Sequence, residues 1–464
     1  MLNQWKKPFL IGLVLVLAVL IPMLIGGQSS LRRAEDAEKR GEYNLAAQAY
    51  AHSARFLFWR KDLFERAGIA SAKAQDFSTA IGYFERSGDF SENGWAWYCT
   101  AHIQLGDFPS AISICNEGIK TYDSAMLYSL LGFVYREQKN FAAEQLALEN
   151  QTRLDKTDAY AAYRLGLLLT LSAPEDAASE LTRASALNPE VDSAVQTLLA
   201  ALAVSAQQTD LSVRKVIVGQ SFGLVQDWEL AQTAFEQAIQ LDVSNAEAWA
   251  WLGEAKQQTG QDGSAELNRA LNLDRQSVNV RALRALYWSR QEKYEQMLAE
   301  YLLAAGIEPK NPRWQASVGD AYAKLGDLVS ALNAYQNAVA LAPGNADYWR
   351  QLAFFCAENA VQVEDVGLPA AQQAFALAPN DPAVLDALGY SYLSTSRFAS
   401  AKQIFEQALA LVPDYFPAHI HLAMTCLAQG DMASAFNSLT YVRDADETGT
   451  YAVIAQQLLD KYFR

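Results

Sequence analysis

The sequence predicts an all-α chain in which pairs of short helices stack side by side as a solenoid, preceded by one helix apolar enough to span a membrane. Three observations carry this expectation. Prolines and glycines recur at a fixed step of 34, from Pro309 to Pro343, Pro379 to Pro413, Gly132 to Gly166 and Gly219 to Gly253. A small residue stands four before an aromatic in copy after copy, as in Ala46/Tyr50, Ala80/Phe84 and Ala231/Phe235. Residues 8–27 are twenty consecutive positions without a charge.

Composition sets the outer limits. Of 464 residues, 51% are hydrophobic and 19% charged, enough apolar material for a core and too little polarity for a disordered chain. The formal charge of -15 argues against nucleic acid as a partner, because a phosphate backbone calls for a basic face. The four cysteines, Cys99, Cys115, Cys356 and Cys426, contain no CxxC pair, which excludes a disulfide-dense scaffold and gives no zinc-ribbon spacing.

Residues 1–7 form a short basic tail with Lys6 and Lys7. Residues 8–27 follow as a transmembrane helix, since at ~1.5 Å per residue such a run spans about 30 Å, one hydrocarbon core. A cleaved signal peptide is the alternative, with Gly27-Gln28-Ser29 as a small-x-small site. The apolar run from Phe9 to Ile25 exceeds the roughly 7 to 15 residues usual for that role, which favours a retained signal anchor. Such an anchor would make this a single-pass cell membrane protein with its C-terminal part outside the cytoplasm.

From residue 28 onward each period reads as two amphipathic helices of about 13 residues. A tight turn such as Lys324-Leu325-Gly326-Asp327 joins them, and Pro343 or Pro413 closes the second. Alanine and glycine at facing positions let the paired backbones approach, while aromatics at the Tyr335 and Phe405 positions fill the space against the next pair. Two stretches depart from the period. Residues 190 to 215 hold an apolar helix (Val195, Leu198, Leu199, Leu202) with no clear partner, dividing the array into blocks 28–206 and 207–464. The segment before Pro369 carries about two extra residues. At the end, Tyr451, Ile454, Leu458 and Tyr462 share one helical face, as in a helix capping the last repeat.

These residues resemble the tetratricopeptide repeat family. Its pattern Trp-x2-Leu-Gly-x2-Tyr, then Ala-x3-Phe/Tyr-x2-Ala and Pro, runs from Gly319 through Tyr322, Ala331, Tyr335 and Ala338 to Pro343. Val318 and Gln315 replace the Leu and Trp there, whereas Trp249, Leu252 and Gly253 match the start of the unit in full. The resemblance covers about twelve units and implies a right-handed superhelix whose first helices line a concave face that holds segments of other proteins. By register that wall offers Phe133, Tyr160, Tyr163 and Leu167 in the fourth and fifth units, and Arg350, Phe354, Tyr390 and Met424 in the last three. The Lys and Asn set with which some family members clamp a terminal carboxylate is missing. The expected role is a membrane-anchored scaffold or adaptor similar to assembly factors of the bacterial envelope, working without a cofactor.

Catalytic readings find little chain to occupy. There is no GxxxxGK[ST] or GxSxG motif, and His419 and His421, two residues apart, point to different sides of a helix. Cys99 and His102 lie one turn apart, with Cys115 on the second helix of the same unit, so a thiol-dependent enzyme is one alternative. These are also positions that the family fills with core side chains. Cys356 and Cys426 occupy equivalent positions two units apart and read as core thiols. An RNA-reading helical repeat is the other alternative, opposed by the acidic balance. A non-enzymatic binding protein is the expectation.

Overall fold

The computed structural model describes residues 6–446 and 449–463, with the side chains of 6–16 and 19 outside the description. Among the described residues there are twenty-six α-helices and no strand. The chain divides into two compact units, one comprising Met1–Asp210 and Ile217–Leu230, the other Leu211–Val216 and Ala231–Arg464.

In unit 1 the helices pair as α1 (Lys6–Lys39) with α2 (Tyr43–Phe56), α3 (Asp62–Lys73) with α4 (Phe77–Phe84) and α5 (Glu92–Gln104) with α6 (Phe108–Thr121). Next come α7 (Ala125–Glu137) with α8 (Phe141–Leu154) and α9 (Ala159–Ser172) with α10 (Pro174–Leu187). The apolar helix of residues 190 to 215 is α11 (Asp192–Ala206), which packs against α10, and it is followed by α12 (Leu211–Leu224) and α13 (Trp228–Leu241), through which the unit boundaries run. Unit 2 continues with α14 (Ala246–Gln258) and α15 (Ser264–Leu273), α16 (Val278–Arg290) and α17 (Tyr294–Ile307), then α18 (Pro312–Leu325) and α19 (Leu328–Leu341). It ends with α20 (Ala346–Glu358) and α21 (Leu368–Leu377), α22 (Pro382–Ser394) and α23 (Phe398–Leu411), α24 (Phe416–Gln429) and α25 (Met432–Ala445), and α26 (Thr450–Tyr462).

Two devices, together or singly, build most of the turns inside the pairs. One residue in the left-handed region ends the first helix, glycine at Gly326 (φ 78°) and Gly430 (φ 79°) but Lys139, Glu292 (φ 57°) and Ser396 elsewhere. In four of these turns an Asp or Asn caps the second helix: Asp327 accepts from the Ser330 amide at 3.1 Å, and Asp107, Asn140 and Asp431 do the same, whereas Lys293 and Arg397 give no side-chain cap. A side chain in the left-handed region costs about 1–2 kcal/mol, only partly offset by the freedom glycine adds to the unfolded chain. Glu292 is exposed, and among the described residues its side chain has no ion-pair or hydrogen-bond partner. Glu292→Gly is therefore expected to stabilise unit 2 by roughly 0.5–1 kcal/mol, read as a rise in urea midpoint. A fall would show that the Glu292 backbone is not strained.

In several pairs the glycine of the first helix lies beneath a ring of the second. A Cβ at Gly389 would stand 2.5 Å from the Phe405 ring, and one at Gly68 2.7 Å from Phe84. The same rings reach onward, since Tyr335 meets Phe355 of the following pair at 5.0 Å between centroids. The aromatic positions thus seal both the pair and the joint to the next one. The extra residues before Pro369 form a single π-turn, Val363–Gly367, entering α21. In the terminal helix Tyr451, Ala455, Leu458 and Leu459 pack onto the last pair, while Ile454 and Tyr462 are exposed. The covering stripe is therefore rotated from the one expected.

The expected membrane helix at 8–27 is corrected. Among the described residues no helix is long and apolar enough to cross a membrane. The run does not end as a separate element at Gly27: α1 continues to Lys39 through Arg32, Arg33, Glu35 and Asp36. Its later turns belong to the first pair, with Leu31, Ala34 and Ala37 in a core with Ala46, Ala47 and Tyr50. Ser53 Oγ also donates to the Gly27 carbonyl at 2.8 Å. Residues 1–5, and the side chains of 6–16 and 19, lie outside the described residues. The signal anchor, the single-pass localisation and the extracytoplasmic placement fall with that finding.

Candidate functional site

In unit 2 the first helices of successive pairs pack on one another, α20 on α22 and α22 on α24, so one face of each contributes to a shared wall. Phe354 and Tyr390, one from each of α20 and α22, lie half-buried with ring centroids 5.3 Å apart. His421 of α24 stacks on Tyr390 at 4.4 Å. The imidazole is fixed by its Nδ1, which donates to Asp386 Oδ1 at 2.8 Å. The result is a three-ring run held from behind by a carboxylate, with burial raising the Tyr390 phenol above its ordinary value.

Beside this run lies a cavity of about 500 Å³ lined by Asp320, Lys324, Tyr335, Arg350, Phe354 and Glu358 among others. Tyr335 donates its hydroxyl to Asp320 Oδ1. Asp320 opens to the cavity but is crowded by its walls, so burial holds its carboxyl above the usual range despite the tyrosine bond and the nearby Lys324 charge. Arg350 is turned along its own helix toward Asp347 at 3.2 Å. The cavity thus offers charges of both signs around an aromatic floor. Met424 packs partly buried in the cluster of Ile420, Leu439 and Leu459.

The corresponding wall of unit 1 is different. Phe133 on α7 and Tyr160 on α9 are exposed, Tyr160 at 60%, with Arg136 donating to the Tyr160 hydroxyl. Tyr163 is half-buried, and Leu167, expected on the wall, is only 4% exposed and belongs to the core. Between them Arg164 donates Nε and Nη2 to the two oxygens of Glu144, at 2.6 and 3.0 Å, and Nη1 to Asp227 Oδ2 at 2.7 Å. Lys139 Nζ pairs with Glu229 Oε1 at 2.9 Å. The segment carrying Asp227 and Glu229 therefore lies against α9 and the α7–α8 turn, and part of this face is covered by the chain itself.

Register reasoning placed Phe354 and Tyr390 together but missed His421, Asp386, Asp320 and Arg164. For Asp386 the available signal was its spacing of one helical turn from Tyr390. His419 does not share His421's role: its Nε2 donates to the Pro413 carbonyl at 2.8 Å and burial lowers its pKa. Cys99 and Cys115, read as core side chains or reactive thiols, are joined in a disulfide with Cα atoms 5.6 Å apart. Cys356 and Cys426 are buried free thiols, and burial pushes Cys356 up to about 11. Among the described residues no group of three or more His, Cys, Asp or Glu is arranged to hold a metal ion.

The fold is that of an all-α helical-repeat scaffold. Family profiles described as tetratricopeptide repeat match residues 219–278, 290–346 and 392–440, about a third of the chain, and in these segments the chain carries such repeats. A peroxisomal targeting signal receptor from Kluyveromyces lactis is 27% identical over 213 residues, or 45% of this chain. The match spans 37% of that relative's length. Yeast Tom70 is similar over 94% of this chain and 95% of its own, at 13% identity and a TM-score of 0.43. Cut9-Hcn1, an APC/C hetero-tetramer, is similar over 88% and 99%, at 14% identity and a TM-score of 0.40.

Proposed function

We propose that the chain is a scaffold or adaptor whose unit 2 wall binds an extended or helical segment of another protein, and that it carries out no chemistry of its own. The observation that carries this is the Phe354–Tyr390–His421 run beside an open cavity, since rigid aromatics and arginine are the commonest anchors of protein interfaces. A ligand that is a segment of another protein is in keeping with a relative named as a targeting signal receptor. Envelope assembly rested on the membrane anchor and is not part of the proposal.

The test begins with a photo-crosslinking amino acid at Tyr390 in the full chain, and with a control at Leu341, which is exposed on a second helix. The segment trapped at Tyr390 is synthesised as a peptide and its binding measured. Phe354→Ser and Tyr390→Ser are each expected to weaken it at least tenfold, the effect of losing an interface anchor. Undiminished binding by both variants, or equal trapping at Leu341, would remove this wall as the working surface.

A further inference from the structure

The Cys99–Cys115 disulfide joins the two helices of one pair, Cys99 on α5 and Cys115 on α6, across a sequence separation of 16. Both residues are fully buried, in a core that also contains Ala96, Ala111, Leu127 and Val134. That core spans two consecutive pairs, so the crosslink lies where α5 and α6 meet α7. In a linear array each pair is stabilised by its neighbours, and a pair that opens uncouples those on either side. His102, one turn along α5, is engaged by Asp107 Oδ2 at 3.0 Å. The only other cysteines are Cys356 and Cys426 in unit 2, so unit 1 holds no third thiol to exchange with the pair.

We propose that the Cys99–Cys115 couple is a redox-dependent clamp on the third helix pair, holding unit 1 closed when oxidised and releasing α5 and α6 to local opening when reduced, while unit 2 is unaffected. The reductant is of the dithiol class. Its thiolate attacks one sulfur to give a mixed disulfide, and its second thiol displaces the cysteine. Two electrons and two protons pass to Cys99 and Cys115, and the reductant leaves as its own disulfide. Because neither sulfur is accessible, α5 and α6 must separate transiently before attack, so local opening gates reduction.

The test uses the full chain. Alkylation under denaturing conditions should label two cysteines before reduction and four after it. Hydrogen exchange read by mass spectrometry, with and without dithiothreitol, should accelerate roughly a hundredfold across residues 92–121, the factor expected for losing a crosslink of this loop size. A smaller rise should reach 62–84 and 125–154, and 231–464 should not change. A Cys99→Ala/Cys115→Ala variant should exchange fast in the same segment and ignore the reductant. Four labelled cysteines without reduction, unchanged protection at 92–121, or a rise of equal size in unit 2 each overturn the proposal, and none of these readings depends on the variant folding.

Discussion

Replacing Arg164 with alanine is expected to destabilise unit 1 by about 3–5 kcal/mol, the cost of stranding a buried charge. The side chains of Arg164 and Glu144 are 5% and 2% exposed, and three charge-assisted hydrogen bonds hold the guanidinium. Truncation leaves Glu144 without the cation that compensates its desolvation, and frees Asp227 from the face of α9. Urea unfolding reads the first effect, and faster hydrogen exchange at 217–230 reads the second. A double replacement, Arg164→Met with Glu144→Leu, removes both charges and should recover much of the loss, because apolar groups of similar volume carry no such penalty. Lys61→Ala is the comparison: its ion pair with Asp89 is 66% and 77% exposed, so screening and side-chain entropy leave little to lose. If the Arg164 and Lys61 variants unfold at the same urea concentration, the triad contributes no more than a surface pair.

The helix pairs were legible in the sequence because each is a local device repeated in register. Gly326 followed by Asp327 announces a left-handed stop and a cap within two residues. Gly389 and Phe405 announce a close approach sixteen residues apart. Phe354 and Tyr390 were found on one wall because register counts helix faces correctly even across the π-turn at 363–367. What register does not carry is contact made from elsewhere in the chain. Arg164 becomes buried through Glu144 on α8 and Asp227 far downstream, and nothing in the period of the fifth pair signals either partner. Leu167 shares that fate, a wall position by count and a core position by packing. The cysteines fall between these cases. Their register put Cys99 and Cys115 on facing helices, but whether two such sulfurs meet depends on helix rotation, which a period does not specify. The apolar run at 8–27 misled for a related reason: hydropathy measures a window, whereas α1 runs on without a break into charge and into the first pair.

Gly263→Ala should cost about 3 kcal/mol or more in unit 2, although it adds only one methyl group. The reason lies in what that methyl would meet. A Cβ at Gly263 would stand 2.0 Å from the carbonyl oxygen of Gly253, and one at Gly253 would stand 2.8 Å from the carbonyl oxygen of Gly263. Here α14 and the entry to α15 touch backbone to backbone, so no rotamer change can relieve the overlap and the helices themselves must part. Parting them strains the Lys256–Glu266 pair across the same turn, made at 2.6 Å with both side chains largely covered. Gly389→Ala is the graded comparison, because its obstacle is the edge of the Phe405 ring, which can tilt at a cost of roughly 1–2 kcal/mol. Gly82→Ala has the opposite sign. A Cβ there meets nothing within 4 Å in the last turn of α4, so the higher helix propensity of alanine should raise stability by up to ~1 kcal/mol. Urea midpoints of the three variants separate the mechanisms: the same chemical change spans a gain, a modest loss and a large one, according to whether space, a movable ring or a fixed main chain faces the new atom. If Gly263→Ala proves as mild as Gly389→Ala, the two helices have room to slide, and the close contact does not set the geometry of that pair.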